Sequence, residues 1–263
     1  MAEAALPTLH MVQLHLDTRG LLRSAQRQGL RSTEDLGYSV HGHLAALFGE
    51  LAPRPFRTEA QGERVQILGY GPHSGAELLH HADAFAPPLD RAVLQPGLAS
   101  KQMPSAWRAG QRLRFEVRLC PTVRLASAAG PFQAKSELDA YQAAWARHQQ
   151  RQDSLSQELS TNPAPAEAPE SRATVYRRWL RRRLEPATQL LDFTLEGLRR
   201  TQLLRRTQGH HREQRLPELP DALVLGELEV VDPRGFAALL ARGVGRHRAF
   251  GFGMLLLRPP SRR

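Results

Sequence analysis

The sequence predicts an α+β protein made of two small α/β domains with a basic helical arm inserted, and three observations predict it. Stretches of period-two alternation recur at residues 9–16, 64–70, 111–125 and 223–231, separated by stretches of helical spacing. Between residues 134 and 208 the composition shifts to Ala, Gln, Glu and Arg, as in exposed helices. The chain then closes on a helix, a glycine-rich loop and an apolar run, Met254 to Leu257.

In order, Leu9 to Leu16 is the first strand, with Met11 and the leucines facing a core and His10 and Gln13 facing outward. Thr18 to Ser32 is a basic segment whose Arg19, Arg23, Arg27 and Arg31 fall on one helical stripe, either solvated or in contact with phosphate. Glu34 to Glu50 is a helix with Leu36, Val40, Leu44, Leu47 and Phe48 on its apolar face. Tyr38 and His41, three apart, share one side of it, and His43 points elsewhere. His41-Gly-His43 would converge on a metal ion only in a strand, so no metal site is expected. Arg64 to Tyr70 is a strand, Ser74 caps a helix to Phe85, and Pro87-Pro88 is a break. Gln111 to Leu125 is a half-buried antiparallel strand, with Leu113, Phe115, Val117 and Leu119 on one face and Arg112, Arg114, Glu116 and Arg118 on the other. Residues 7–125 thus carry a β, α, β, α, β rhythm, which suits a ferredoxin-like domain.

Ala134 to Leu159 reads as a helix with a stripe of Leu138, Tyr141, Trp145 and His148. Ser160 to Ser171, with three prolines, reads as a break, and Thr174 to Gln208 as a second helix divided near Pro186. After Pro217 and Pro220, Leu223 to Val231 is a strand. Asp232 is an N-cap with Pro233 at the first helical position, and Gly243 is the C-cap. The expected division is 1–125 for the first domain, 126–216 for a helical insertion within the second, and 217–263 for the second domain's remainder.

Charge points to the partner. The net charge is +10 with a pI near 10.9, and because Lys101 and Lys135 are the only lysines, 34 of the 36 basic residues are arginine. Guanidinium groups stack on bases and grip phosphates bidentately, so the bias favours RNA over lipid. Between Arg172 and Arg215, twelve arginines face four acidic residues, a net +8. A solvated face mixes its signs, so Arg177, Arg178, Arg181 and Arg182 are candidate RNA contacts. Gly243, Gly245, Gly251 and Gly253 bracket Arg246, His247 and Arg248, a loop suited to an anion. A nucleotide-binding fingerprint has its strand before the glycines and its helix after them, and here the order is reversed. No run of about 18 apolar residues exists to span a bilayer, Met1 to Pro7 lacks the pattern of a secretory signal, and Cys120 is alone. A cytoplasmic protein without cofactor or membrane partner is expected.

The residues from Leu225 to Val230, the helix from Asp232 to Arg242, and Gly243-Val-Gly-Arg-His-Arg-Ala-Phe-Gly-Phe-Gly-Met-Leu255 resemble the CRISPR-associated endonucleases of the repeat-associated mysterious protein superfamily, which cut precursor CRISPR RNA within each repeat. Tyr38-Ser-Val-His41, leading into Leu44 to Phe48, resembles the Tyr-x-x-His helix start of the type I-E subgroup. Ser100 to Met103 and the strand from Arg112 to Arg124 resemble that subgroup's central hairpin. The similarity covers about residues 8–125 and 172–259. Residues 134–170 have no counterpart, and a long helical insertion there is similar to the type IV branch.

The resemblance implies two ferredoxin-like (RRM-like) domains that bind a repeat stem-loop and cleave it without metal, with other CRISPR effector-complex subunits as partners. It implies attack by a ribose 2′-hydroxyl, leaving a 2′,3′-cyclic phosphate, with His41 as general base and Tyr38 orienting it or the phosphate. The lysine that related enzymes add has no clear match here. Arg23 and Arg242 stand as candidate cations, and His15 and His43 as alternative bases. The competing expectations are a non-catalytic RNA-binding subunit of the same superfamily and a basic scaffold or ribosome-associated protein.

Overall fold

The computed structural model describes residues 8–27, 36–128, 131–158, 168–202, 205–206, 214–215 and 218–260. Met1 to Pro7, Arg31 and the expected break from Ser160 as far as residue 167 lie outside the described residues.

The first sheet joins β1 (His10–Asp17), β2 (Phe56–Gln61), β3 (Arg64–Gly71) and β4 (Ala99–Gln102) in the order β2-β3-β1-β4, with every neighbour antiparallel. Helices α1 (Thr18–Arg27) and α2 (Leu36–Phe48) link β1 to β2. Helices α3 (Gly75–Phe85) and α4 (Pro88–Arg91) lie between β3 and β4. Ser74 caps α3 in a reciprocal pair with Glu77, which satisfies two of the helix's orphan donors. One sheet face supplies Val12, Leu14, Leu16, Val65 and Ile67 to a core closed by Val40, Leu44, Leu47 and Phe48 of α2. The opposite face is covered too. Met11 and Leu68 pack with Tyr70, Met103 and Met254, and the Tyr70 hydroxyl donates to the Leu255 carbonyl at 2.8 Å. Met11 therefore sits at a seam between the sheets, on the face opposite Val12, Leu14 and Leu16.

The second sheet joins β5 (Arg112–Leu119), β8 (Thr188–Gln202), β11 (Glu218–Val230) and β12 (Leu256–Arg258) in the order β12-β5-β11-β8, again antiparallel. Both sheets thus run fourth, first, third, second, the ferredoxin-like order, and two such domains make up the chain. Between β5 and β8 lie the small ladder of β6 (Thr122–Arg124) and β7 (Glu137–Asp139), then α5 (Ala140–Glu158) and α6 (Arg172–Leu184). A further two-residue ladder, β9 (Arg205–Arg206) with β10 (Gln214–Arg215), extends the β8–β11 hairpin. Helix α7 (Pro233–Arg242) precedes the glycine-rich loop, with the Asp232 carboxylate accepting from the Arg234 amide and Gly243 closing the helix at φ 74°, as the sequence predicts.

Three expectations are corrected. The alternating strand from Arg112 opens the second domain rather than closing the first, because its partners are β11 and β12; the first domain closes on the exposed four-residue β4. Residues 188–202, expected as helix, form a strand paired with β11 along its length, with register shifts at Leu223/Val224 and Glu227/Leu228. Leu, Arg, Gln and Glu favour helices, but thirteen pairings override a propensity worth tenths of a kcal/mol per residue. In α5 Ala140, Ala143 and Ala146 are buried with Tyr141 half-buried against the core, whereas Trp145 is 42% exposed and Leu138 packs from β7, so the expected stripe of Leu138, Tyr141, Trp145 and His148 holds only in part.

Candidate functional site

Helix α6 divides into an apolar and a basic face. Val175, Tyr176, Trp179, Leu180 and Leu184 are buried against the second sheet, each contributing about 1.5–3 kcal/mol of transfer free energy. Arg177, Arg181 and Arg182 are exposed and Arg178 is half-buried. Two of these charges are partly answered. Arg178 makes a bidentate pair with Glu170 at 2.6 and 2.7 Å, and Arg181 lies 3.6 Å from Glu185. Arg183 lies with its guanidinium 3.6 Å from the centroid of the Trp179 ring and donates to the Trp179 carbonyl. Burial first, and then the charges of Arg246 and Arg182, pull its pKa down to about 10, so it stays charged at neutral pH. Three guanidinium groups from two distant stretches of chain therefore crowd one another, a field that favours a polyanion.

The glycine-rich loop is fixed by protein contacts. Gly245 has φ 78°, and a methyl group there would lie 2.7 Å from the tip of Trp179, so glycine is required to seat the loop on α6. Gly243, Gly251 and Gly253 are buried, the first against Pro55, the second beside Phe56, Thr58 and Arg118, the third against the Val244 backbone. These glycines let the loop approach the protein closely. Of the loop's basic side chains, Arg246 is exposed and Arg248 half-buried, whereas that of His247 is only 10% exposed. His247 takes the left-handed conformation at φ 59°, held by its Nε2 at 3.0 Å from Glu137 Oε1. The same oxygen lies 3.5 Å from Arg246 and accepts from the Thr122 hydroxyl at 2.7 Å. Glu137 belongs to the stretch with no counterpart in the sequence resemblance, and it anchors the loop.

The turn Arg248–Phe250 carries the loop onto α2. The Phe250 ring stacks on Tyr38 with centroids 6.0 Å apart and planes 7° apart. It meets His41 edge-on at 5.3 Å and 73°. Tyr38 and His41 are both half-buried on one side of α2, as their spacing predicts. The His41 pKa lies below the ordinary histidine value, chiefly because burial disfavours the imidazolium and secondly because of the positive charge of Arg54. Arg54 itself is exposed, and its amide donates to the Tyr70 carbonyl at 2.7 Å, with Pro55 beside it packed on Gly243. Sequence reasoning missed both Arg54 and Phe250; Phe250 stood in the quoted loop motif but without a role.

Other expected residues lie elsewhere. Arg23 lines a cleft of about 630 Å³ with Asp17, Gly20, Gln26, Leu89 and Val93, and Arg242 lines one of about 420 Å³ with Met103, Trp107 and Ala238; neither lining includes His41. His43 is 1% exposed with its ring against Asp90, Nδ1 3.2 Å from Oδ1 and Nε2 3.1 Å from the carbonyl, so it is spent on packing. His15 sits on β1 opposite Gln66. Among the described residues no group of three or more His, Cys, Asp or Glu side chains is placed to hold a metal ion. No described helix is long and apolar enough to cross a membrane.

A model of the family described as CRISPR associated protein matches residues 9–259. The CRISPR-associated endoribonuclease Cse3 of Thermus thermophilus is 30% identical over 186 residues, 65% of this chain and 68% of that protein. Among solved structures, the CRISPR endoribonuclease Cse3 bound to a 19-nucleotide RNA aligns over 96% of this chain and all of its own, with a TM-score of 0.58 and 24% identity. The Cas6e protein of Escherichia coli aligns over 95% of this chain and all of its own, with a TM-score of 0.51 and 15% identity. A chain of a CRISPR RNA-guided surveillance complex aligns over 95% of this chain with a TM-score of 0.55 and 14% identity. These likenesses bear on the fold, and the Cse3 sequence match bears on the family.

Proposed function

The chain belongs to the family of CRISPR-associated proteins, and from that premise we propose that it is an endoribonuclease of the type I-E kind, which binds the stem-loop of a CRISPR repeat and cuts precursor CRISPR RNA to guide length. The observation that carries this reading is the meeting of Tyr38 and His41 with the glycine-rich loop, next to the crowded arginines of α6. The same loop thereby touches a base of depressed pKa at Phe250 and the arginine-bearing α6 at Gly245.

His41 is the general base. Its lowered pKa keeps the imidazole neutral at neutral pH, able to accept the proton of the ribose 2′-hydroxyl. The freed oxygen attacks the adjacent phosphorus, the bond to the 5′ oxygen breaks, and the products are a 2′,3′-cyclic phosphate and a 5′-hydroxyl that has taken up a proton. Tyr38 orients the phosphate or the imidazole. The cation role expected of Arg23 or Arg242 passes to Arg54, whose charge is already felt at His41. Arginine keeps its proton at working pH, so it acts by stabilising negative charge on the phosphorane oxygens rather than as an acid. Arg177, Arg178, Arg181, Arg182, Arg246, His247 and Arg248 hold the stem. The product stays bound, and the protein joins an effector complex with further subunits.

The test is incubation of the purified protein with labelled repeat RNA in EDTA. A single cut, blocked by 2′-deoxyribose at the nucleotide before the scissile bond, is expected. Binding without cutting would make the chain a non-catalytic RNA-binding subunit, and equal binding of unstructured RNA would reject both readings.

A further inference from the structure

The turn that presents Arg248 to solvent also drives an aromatic ring into the face of α2. Phe250 is rooted on one side in the apolar cluster of Cys120, Leu219 and Phe252, and on the other it touches Tyr38, His41 and His247. The turn is tied down at both ends. The Phe250 amide donates to the His247 carbonyl at 2.8 Å, and the Arg248 guanidinium donates to the Arg242 carbonyl at 2.6 Å. Glu137 fixes His247 from outside. The ring is therefore braced from the second domain while Tyr38 and His41, against which it lies, belong to the first.

We propose that Phe250 is a positioning residue, which fixes the imidazole of His41 and the phenol of Tyr38 and couples the seating of RNA on the glycine-rich loop to the geometry of the base. This rests on the endoribonuclease reading given above. A parallel stack on Tyr38 and an edge contact on His41 leave both rings fewer rotamers than an open helix surface would. Proton transfer depends steeply on placement, and an error of about 1 Å costs on the order of a hundredfold in rate. Arg246, His247 and Arg248 lie in the same loop as the ring, so a phosphate that pulls on them pulls on the brace of His41.

F250A, F250L and F250Y separate positioning from binding and from simple structure. In F250A the single-turnover rate at saturating protein should fall about ten- to hundredfold, with RNA affinity near that of the wild type. F250Y, which keeps the ring, should restore most of the rate; F250L, which keeps bulk, guards against a collapsed fold and should remain slow. The pH titration of His41 followed by NMR, assigned with H41A, is a readout independent of activity. Loss of the ring should move His41 upward toward the ordinary histidine value, because it uncovers the imidazole. An unchanged rate and titration in F250A would overturn the proposal, as would a loss of affinity equal to the loss of rate, which would make Phe250 an RNA contact. A wild-type protein that binds without cutting rejects the endoribonuclease reading alone. The His41 titration in F250A then decides the positioning claim, an upward shift supporting it and an unmoved one overturning it.

Discussion

Helix α6 allows the charge contribution to RNA binding to be worked out residue by residue. Arg177 and Arg182 are exposed, whereas Arg178 and Arg181 already face Glu170 and Glu185. Replacing the first pair removes two charges free to release counterions, so the double variant R177A/R182A should flatten the slope of log affinity against log salt by about 1.4 to 1.8. A fourfold rise in salt, from about 50 to 200 mM, should then cost the wild type roughly 7- to 12-fold more affinity than the variant. Replacing Arg178 and Arg181 together should flatten the slope less, because each already has a carboxylate partner. Fluorescence anisotropy of a labelled stem-loop across a salt series measures all three proteins. Parallel lines for R177A/R182A and wild type would refute the reasoning and turn the basic face of α6 away from the RNA.

Three further substitutions probe the site. H41A should lower the single-turnover rate by about 10²- to 10⁴-fold with little change in affinity, and equal cutting would remove His41 as the base. R54Q should move the acidic limb of the rate–pH profile to higher pH, because the positive charge that disfavours the imidazolium is gone; His41 should still titrate below its ordinary value, since burial, the larger cause, remains. A limb that does not move would place Arg54 outside the reaction. E137Q should weaken RNA binding, since the anchor of Arg246 and His247 loses its charge; the loop's protection from hydrogen exchange should fall with it, and unchanged protection would show that the glycine contacts alone hold the loop.

Local signals in this sequence were reliable wherever a short stretch settles its own conformation. Asp232, Pro233 and Gly243 bound α7 because caps act within one turn, and Tyr38 and His41 share a face because helical spacing requires it. The failures are of another kind. The strand from Arg112 alternates in sequence, yet Glu116 on its expected outer face is buried against Arg57 and Arg258, and alternation does not say which sheet does the burying; β11 and β12, more than a hundred residues later, decide that. For residues 188–202, helix-favouring composition lost to a long hairpin partner whose own strand begins at Glu218.

The site follows the same division. The placement of His41 beside Tyr38 was legible because the two fall within one helix turn. Arg54 and Phe250 were not, since what matters about them is the surface they meet. Arg54 is held by its amide's bond to Tyr70 within the first domain, while Pro55 beside it packs on Gly243 of the second. Phe250 reaches Tyr38 because Gly245 fits under Trp179 and Gly251 fits beside Phe56. The glycine-rich loop thus works as a joint. Its missing side chains let the second domain press the Phe250 ring against the helix that carries His41. A cation that helps this reaction is therefore to be sought along that joint, where Arg54 lies, rather than in the clefts that hold Arg23 and Arg242.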